Sequence, residues 1–387
     1  MPNCRSFGIL IYAEVFTIIK KVSNSSIFKS INTEGATGVY YPIKLKPAYK
    51  DYVWGGRYFE NFKRELPEGP IAESWELSCH KNGVSVAANG VLSGKTLTEI
   101  VSNDKYNILG TLFPMDMDEI PLLIKFIDAN DKLSVQVHPD DSYAFEHEGG
   151  RGKNEMWYVY DAKPGARLVA GLKQGVGKEE FILAVKENRI EECLNEVEVQ
   201  PGDVINVPAG LLHSIGAGTV IVEIQQTSDI TYRVFDYNRV DSNGVGRPLH
   251  IDKALSVVNF DSKPGKVKIG GIPIKVNPTF TKTIYVANKF FACEKYQVNG
   301  RITEATDNSR FYAYVCLEGR GRIISKKMAV SFCAGETVLI PAALGKYDME
   351  GEFASLKAYV PDFMKDIIEP MKKAGCTEDE INQLLGL

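Results

Sequence analysis

Apolar and polar positions alternate with a period of two through most of the chain, the spacing of strands that bury one face. Residues 72–78, Ala-Glu-Ser-Trp-Glu-Leu-Ser, alternate in this way. Residues 121–129 form a more continuous apolar strand with Lys125 in its middle, and a lysine there costs free energy unless it finds a partner or a wet cavity. Further strands are predicted at 132–139, 153–160, 197–207 and 219–227, with a turn at 228–233. Helical spacing is rarer. It covers 97–109, an interrupted amphipathic stretch at 178–194 that should pack on the outside of the strands, and a last short helix opened by the capping box Thr377-Glu378-Asp379-Glu380.

Residues 260–282, rich in Lys and Pro and containing Gly270-Gly271, read as a connection between two units. Strands resume at 311–319 and 335–346. Gly335 and Pro341 repeat the spacing of Gly202 and Pro208, with Ala343 in place of Gly210 and Lys346 in place of His213, which points to an internal duplication. The expected organisation is an N-terminal extension over 1–39 outside the folded domain, a first domain over 40–260, and a second over 261–387 that lacks a metal histidine. The extension holds an apolar run at 7–19, broken by Glu14 and too short to span a bilayer, followed by a polar linker.

Composition narrows the class. The chain has 387 residues, 44% hydrophobic and 24% charged, with a net charge of -4. That balance fits a globular protein of cytoplasmic location and argues against a general binder of nucleic acid or membrane. Seven cysteines occur without a Cys-x-x-Cys pair and read as reduced thiols.

The chemistry gathers in three segments. Gln136 and His138 are two apart in a strand and share a face, as do Lys153, Glu155 and Trp157 in the next. His213 closes Gly202-Asp203-Val204-Ile205-Asn206-Val207-Pro208-Ala209-Gly210-Leu211-Leu212-His213, whose spacing resembles the second cupin motif. Together Gln136, His138, Glu155 and His213 offer two imidazoles, a carboxylate and an amide oxygen, a set suited to zinc or another borderline divalent ion and open to a substrate. Trp54 and Trp75 read as core packing, with Trp54 also carried as a candidate substrate contact.

Four runs are similar to those of the type I mannose-6-phosphate isomerases: Val135-Gln136-Val137-His138-Pro139-Asp140, Gly152-Lys153-Asn154-Glu155-Met156-Trp157, Pro208-Ala209-Gly210-Leu211-Leu212-His213 and Ser228-Asp229-Ile230-Thr231-Tyr232-Arg233. The resemblance implies a mainly β protein of two cupin-like jelly-roll barrels with a few short helices. It implies one zinc ion per chain on Gln136, His138, Glu155 and His213, with Lys125, Lys153, Asp229 and Arg233 as catalytic or substrate-positioning residues. Longer members often have Pro where this chain has Asn154, and their large helical insertion is absent, as in a compact bacterial form. Moving a carbonyl between C1 and C2 of a sugar phosphate requires a base and a cation to stabilise the cis-enediolate. Lys125, its pKa lowered by a dication, is the first candidate base, with Lys153 and Arg233 on the phosphate. Two other readings remain at this point, a metal-binding cupin that binds sugar phosphates without turnover and an isomerase of another phosphosugar.

Overall fold

The structure, a computed structural model, describes residues 40–385 apart from 115, 241–242 and 262–266. The apolar run at 7–19, the linker after it and Cys4 lie outside the described residues. From Tyr40 onward the chain forms one compact unit. It is built of three antiparallel sheets, of seven, five and nine strands. None of the described helices is long and apolar enough to cross a membrane.

The seven-stranded sheet carries Glu73–Leu77, Leu122–Ala129, Thr219–Gln226, Glu155–Ala162 and Val204–Val207 as consecutive neighbours. Every residue of the Leu122–Ala129 and Thr219–Gln226 strands is buried, because both faces of the sheet are covered. On one face Leu122, Ile124, Phe126, Met156, Tyr158, Val222 and Ile224 pack against Val286, Phe291, Ala313, Val315 and Leu356 of the nine-stranded sheet. On the other, Ile127, Trp157, Val159, Ile205 and Ile221 meet Leu168, Ala170 and Ile215 of the five-stranded sheet. Each large apolar side chain buried in this way contributes about 1.5–3 kcal/mol. The helix Lys178–Lys186 lays Phe181 and Ala184 on the far side of the five-stranded sheet, against Val135, Val137, Val169 and Leu212, as the amphipathic spacing predicts.

Three local expectations are corrected. The helical stretch at 97–109 is two helices, Leu97–Asn103 and Lys105–Ile108, divided at Asp104. The strand predicted at 132–139 is ordered as strand only over Val135–Val137. The supposed connection at 260–282 contains the strands Lys268–Ile269 and Ile272–Asn277 and the start of Phe280–Ala287. Its composition misleads because Ile272–Asn277 is an edge strand, where a proline such as Pro273 is tolerated and most side chains face water. The nine-stranded sheet also recruits Ile43–Lys46 from the start of the described chain, which pairs with Thr337–Ile340.

Register supports the duplication. Across the seven-stranded sheet Trp75, Lys125, Glu223, Trp157 and Ile205 stand side by side. Across the nine-stranded sheet Ile284, Glu294, Lys357, Tyr314 and Val338 do the same. Ile205 follows Gly202 at the interval at which Val338 follows Gly335, and both glycines adopt left-handed backbone, with φ of 94° and 84°. The two rows therefore correspond, with Glu294 and Lys357 in the places of Lys125 and Glu223. Lys346, at the place of His213, is an exposed residue at the start of a strand.

Lys357 is buried against the Glu304 carboxylate at 2.9 Å and the Tyr296 hydroxyl at 3.1 Å, with the Tyr312 ring 3.9 Å away. Replacing it leaves the half-buried Glu304 carboxylate without its ammonium partner and the Tyr296 hydroxyl without its donor. Lys357→Met should lower unfolding free energy by about 3–5 kcal/mol in urea titration, a cost typical of breaking a buried charge pair.

Candidate metal centre and active site

Two rows of side chains face each other between the five- and seven-stranded sheets. On the first, Arg233, Gln136 and His213 are direct cross-strand partners, and His138 follows on the same face. On the second stand Lys125, Glu223 and Trp157, with Glu155 two residues from Trp157. The Trp157 and His213 rings meet edge to face at 5.3 Å, so the rows are in contact.

His138, Glu155 and His213 bring one donor atom each within 4.8 Å of one another, and all three are buried. The backbone sets their roles. His138 Nδ1 donates to the Ile230 carbonyl at 2.8 Å, and His213 Nδ1 donates to the Leu211 carbonyl at 2.8 Å. Each Nε2 is thereby left with its lone pair pointing inward, the orientation that ligating histidines take from such partners. Burial, reinforced by the Lys153 ammonium, pushes the His138 pKa down to about 3, and burial lowers that of His213. Both rings are neutral at pH 7. His138 Nε2 lies 2.8 Å from Glu155 Oε1, so two electron-pair acceptors confront each other.

Burial alone would raise the Glu155 carboxyl, yet Lys153 and His138 hold it well below the usual carboxylate range. Its Oε1 accepts from Lys153 Nζ at 2.7 Å and its Oε2 from Trp157 Nε1 at 3.1 Å. Lys153 Nζ is also 3.1 Å from His138 Nε2. The ammonium thus lies at the ligand cluster. Gln136 Nε2 is 3.4 Å from His213 Nε2, and turning the amide over presents Oε1 to the same point. Two inward-facing imidazole nitrogens, a carboxylate and an amide converge, and this donor set fits a divalent metal.

Asn154 ties the centre together. Its backbone N–H and side-chain amide donate to Gln226 Oε1 at 3.0 and 2.8 Å, and its Oδ1 accepts from the Ala209 N–H at 3.0 Å. It joins the Glu155 strand to the turn that leads to His213.

The remaining candidates divide. Lys125 lies beneath the centre, 3.1 Å from Glu223 Oε1 and 3.7 Å from Glu73 Oε2, and its ammonium sits 4.9 Å above the Trp75 ring. Burial opposes its charge, but Glu73, Glu223 and Glu155 outweigh it and raise its pKa. The three carboxylates act against the lowering that a neighbouring dication would bring to a lysine base. Sequence reasoning missed Glu73 and Glu223. The available signal was the buried lysine itself, which calls for an acidic residue at the matching place in a neighbouring apolar strand. Burial and the Glu155 charge push Glu223 up to about 7.

Arg233 donates to Ser134 Oγ at 3.3 Å and to the Pro248 carbonyl at 3.0 Å. The nearby Asp236 carboxylate is taken by Arg239 at 2.6 Å and Arg247 at 2.5 Å. Asp229 pairs not with Arg233 but with His80 and Asn82. Trp54 is 3% exposed and belongs to the apolar cluster that includes Trp157, Ile127 and Leu133, where it packs.

Comparison with known proteins agrees with this arrangement. The model of the type I phosphomannose isomerase catalytic domain matches residues 43–162, and that of the mannose-6-phosphate isomerase cupin domain matches 281–360. A probable mannose-6-phosphate isomerase of Bacillus subtilis strain 168, GmuF, is 38% identical over 313 residues, which is 80% of this chain and 96% of the relative. ManA of the same strain, a mannose-6-phosphate isomerase, is 35% identical over 80% of this chain and 96% of its own length. The crystal structure of the Bacillus subtilis mannose 6-phosphate isomerase superposes with a TM-score of 0.75 at 32% identity, covering 82% of this chain and 99% of that one. With relatives this similar over most of both chains, the protein belongs to the type I phosphomannose isomerase family, and it is an enzyme of the cupin class.

Proposed function

We propose that the protein interconverts mannose 6-phosphate and fructose 6-phosphate with one zinc ion held by Gln136, His138, Glu155 and His213. The observation that carries the reading is the convergence of one donor atom each of His138, Glu155 and His213 within 4.8 Å, with both imidazoles oriented by backbone carbonyls as ligating histidines are. When bound, zinc supplies the positive charge that favours the cis-enediolate over the neutral sugar.

The chain's own residues divide the rest. Arg233, whose neighbouring carboxylate is occupied by two other arginines, offers its guanidinium fork to the phosphate. Lys153, at the ligand cluster, stabilises negative charge developing on the substrate oxygens. Lys125 remains an ammonium and acts one layer below, neutralising Glu73 and Glu223 so that Glu155 is left to the metal. Asp229 stands partly exposed, one residue from the carbonyl that orients His138, and is the carboxylate assigned to move the proton between C1 and C2. Trp54 is left in the core. The location assigned to this reaction is the cytoplasm, with which six unpaired cysteines among the described residues are consistent.

The direct test is to load the purified protein with zinc, add mannose 6-phosphate and assay fructose 6-phosphate. A folded, metal-loaded protein without turnover would reduce the reading to a sugar-phosphate binding module, and turnover of a different phosphosugar would change the substrate. His213→Ala should lower bound zinc and activity together, and a variant with full zinc occupancy would sink the ligand assignment. Arg233→Ala should raise KM for the phosphosugar by about tenfold to a hundredfold, the scale of one lost charge-assisted contact, with zinc content unchanged.

A further inference from the structure

His80 and Asn82 lie in the turn that follows the strand Glu73–Leu77, and neither belongs to the ligand set or to the ionic rows. The turn is held on three sides. Its Gly83 N–H donates to the His80 carbonyl at 2.9 Å, and the His80 N–H donates to Ser78 Oγ at 3.1 Å. Lys50 donates to the Asn82 carbonyl while standing 4.8 Å over the Trp75 ring. The His80 ring packs edge to face on Trp75 at 5.7 Å.

This support fixes the ring's proton as well as its plane. His80 Nδ1 accepts the Asn82 backbone N–H at 3.2 Å, so the hydrogen of the neutral ring is on Nε2. Nε2 lies 3.4 Å from Asp229 Oδ1, and the Asn82 side-chain amide donates to Asp229 Oδ2. One turn therefore hydrogen-bonds one oxygen of the carboxylate through Asn82 and places the His80 Nε2 beside the other. The next residue, Ile230, presents its carbonyl to His138 Nδ1. Ser228 Oγ anchors the other side through the Arg151 carbonyl at 2.9 Å.

We propose that His80 and Asn82 are positioning residues that clamp the Asp229 carboxylate at the mouth of the metal centre. The clamp fixes the direction of the carboxylate and, through the rigid Asp229-Ile230 link, supports the carbonyl that sets the His138 tautomer. The proposal rests on the isomerase reading only for the proton-transfer role of Asp229. A misdirected carboxylate slows proton transfer without weakening the hold on the phosphate, since geometry at the reacting carbon enters the rate rather than the ground-state contacts.

The test uses the full-length, zinc-loaded enzyme. His80→Phe keeps an aromatic ring against Trp75 and removes the donor, while His80→Gln restores an amide donor. We expect His80→Phe to lower kcat about tenfold with KM and bound zinc unchanged, and His80→Gln to recover most of the loss. On an Asp229→Asn background, His80→Phe should cost nothing more, because the two residues act as one unit. An equal loss on that background, a loss confined to KM or zinc content, or no loss at all would overturn the clamp. A second arm does not depend on turnover. In nitrogen-15 NMR the His80 Nε2–H signal should be protected from exchange and should shift in Asp229→Asn, and an unchanged signal also overturns the proposal. Should the wild-type enzyme fail to isomerise mannose 6-phosphate, the functional reading falls and the NMR arm alone decides the clamp.

Discussion

A carboxylate 2.8 Å from an unprotonated imidazole nitrogen, sealed from water, is unstable unless positive charge neutralises it, and the Lys153 ammonium lies 2.7 Å from the first and 3.1 Å from the second. Much of the surrounding structure answers that constraint. The Ile230 and Leu211 carbonyls fix both histidines with their lone pairs inward, and Trp157 and Lys153 supply donors to Glu155. Beneath them Lys125 holds two further carboxylates, so that the negative charge of the site does not accumulate. Because the histidines come from the five-stranded sheet and its approach and Glu155 from the seven-stranded one, the centre exists only when the two sheets close on each other.

The second half of the chain meets the same mechanical problem without the same donors. Its Glu294 and Lys357 take the places of Lys125 and Glu223, and tyrosines replace the residues that would face a metal: Tyr312 stands where Glu155 does, and Tyr314 where Trp157 does. Each of these charges is balanced within the chain itself, Lys357 by Glu304 and Glu294 by Lys282. The outer faces of the two sheets share one apolar core, and Thr337 Oγ1 reaches Glu76 Oε2 at 3.3 Å across it. The rigidity of the catalytic half is thus partly a property of the other half.

Much of the site was legible in the sequence because a strand repeats its facing every two residues. Gln136 with His138 and Lys153 with Glu155 needed no tertiary information to be placed on shared faces, and the Gly-Pro-Gly-His spacing brought in His213. The residues that were missed, Glu73, Glu223, His80 and Asn82, lie on other strands and turns and touch their partners only after folding. The strand at 272–277 was hidden for a different reason. An edge strand is wet on most of its length, so its polarity and proline resemble those of a linker.

By itself the sequence determined the mainly β class, the duplication and the identity of the candidate metal donors, since these follow from local periodicity and from spacing along one strand or turn. Only the tertiary structure decided which charges meet. It surrounded Lys125 with acids, brought Lys153 to His138, left Trp54 in the core, and gave Asp229 to His80 and Asn82 instead of Arg233. The reason is physical: a side chain's protonation and partner depend on burial and on charges a few ångströms away in space, and those neighbours are set by strand register and sheet packing rather than by distance along the chain.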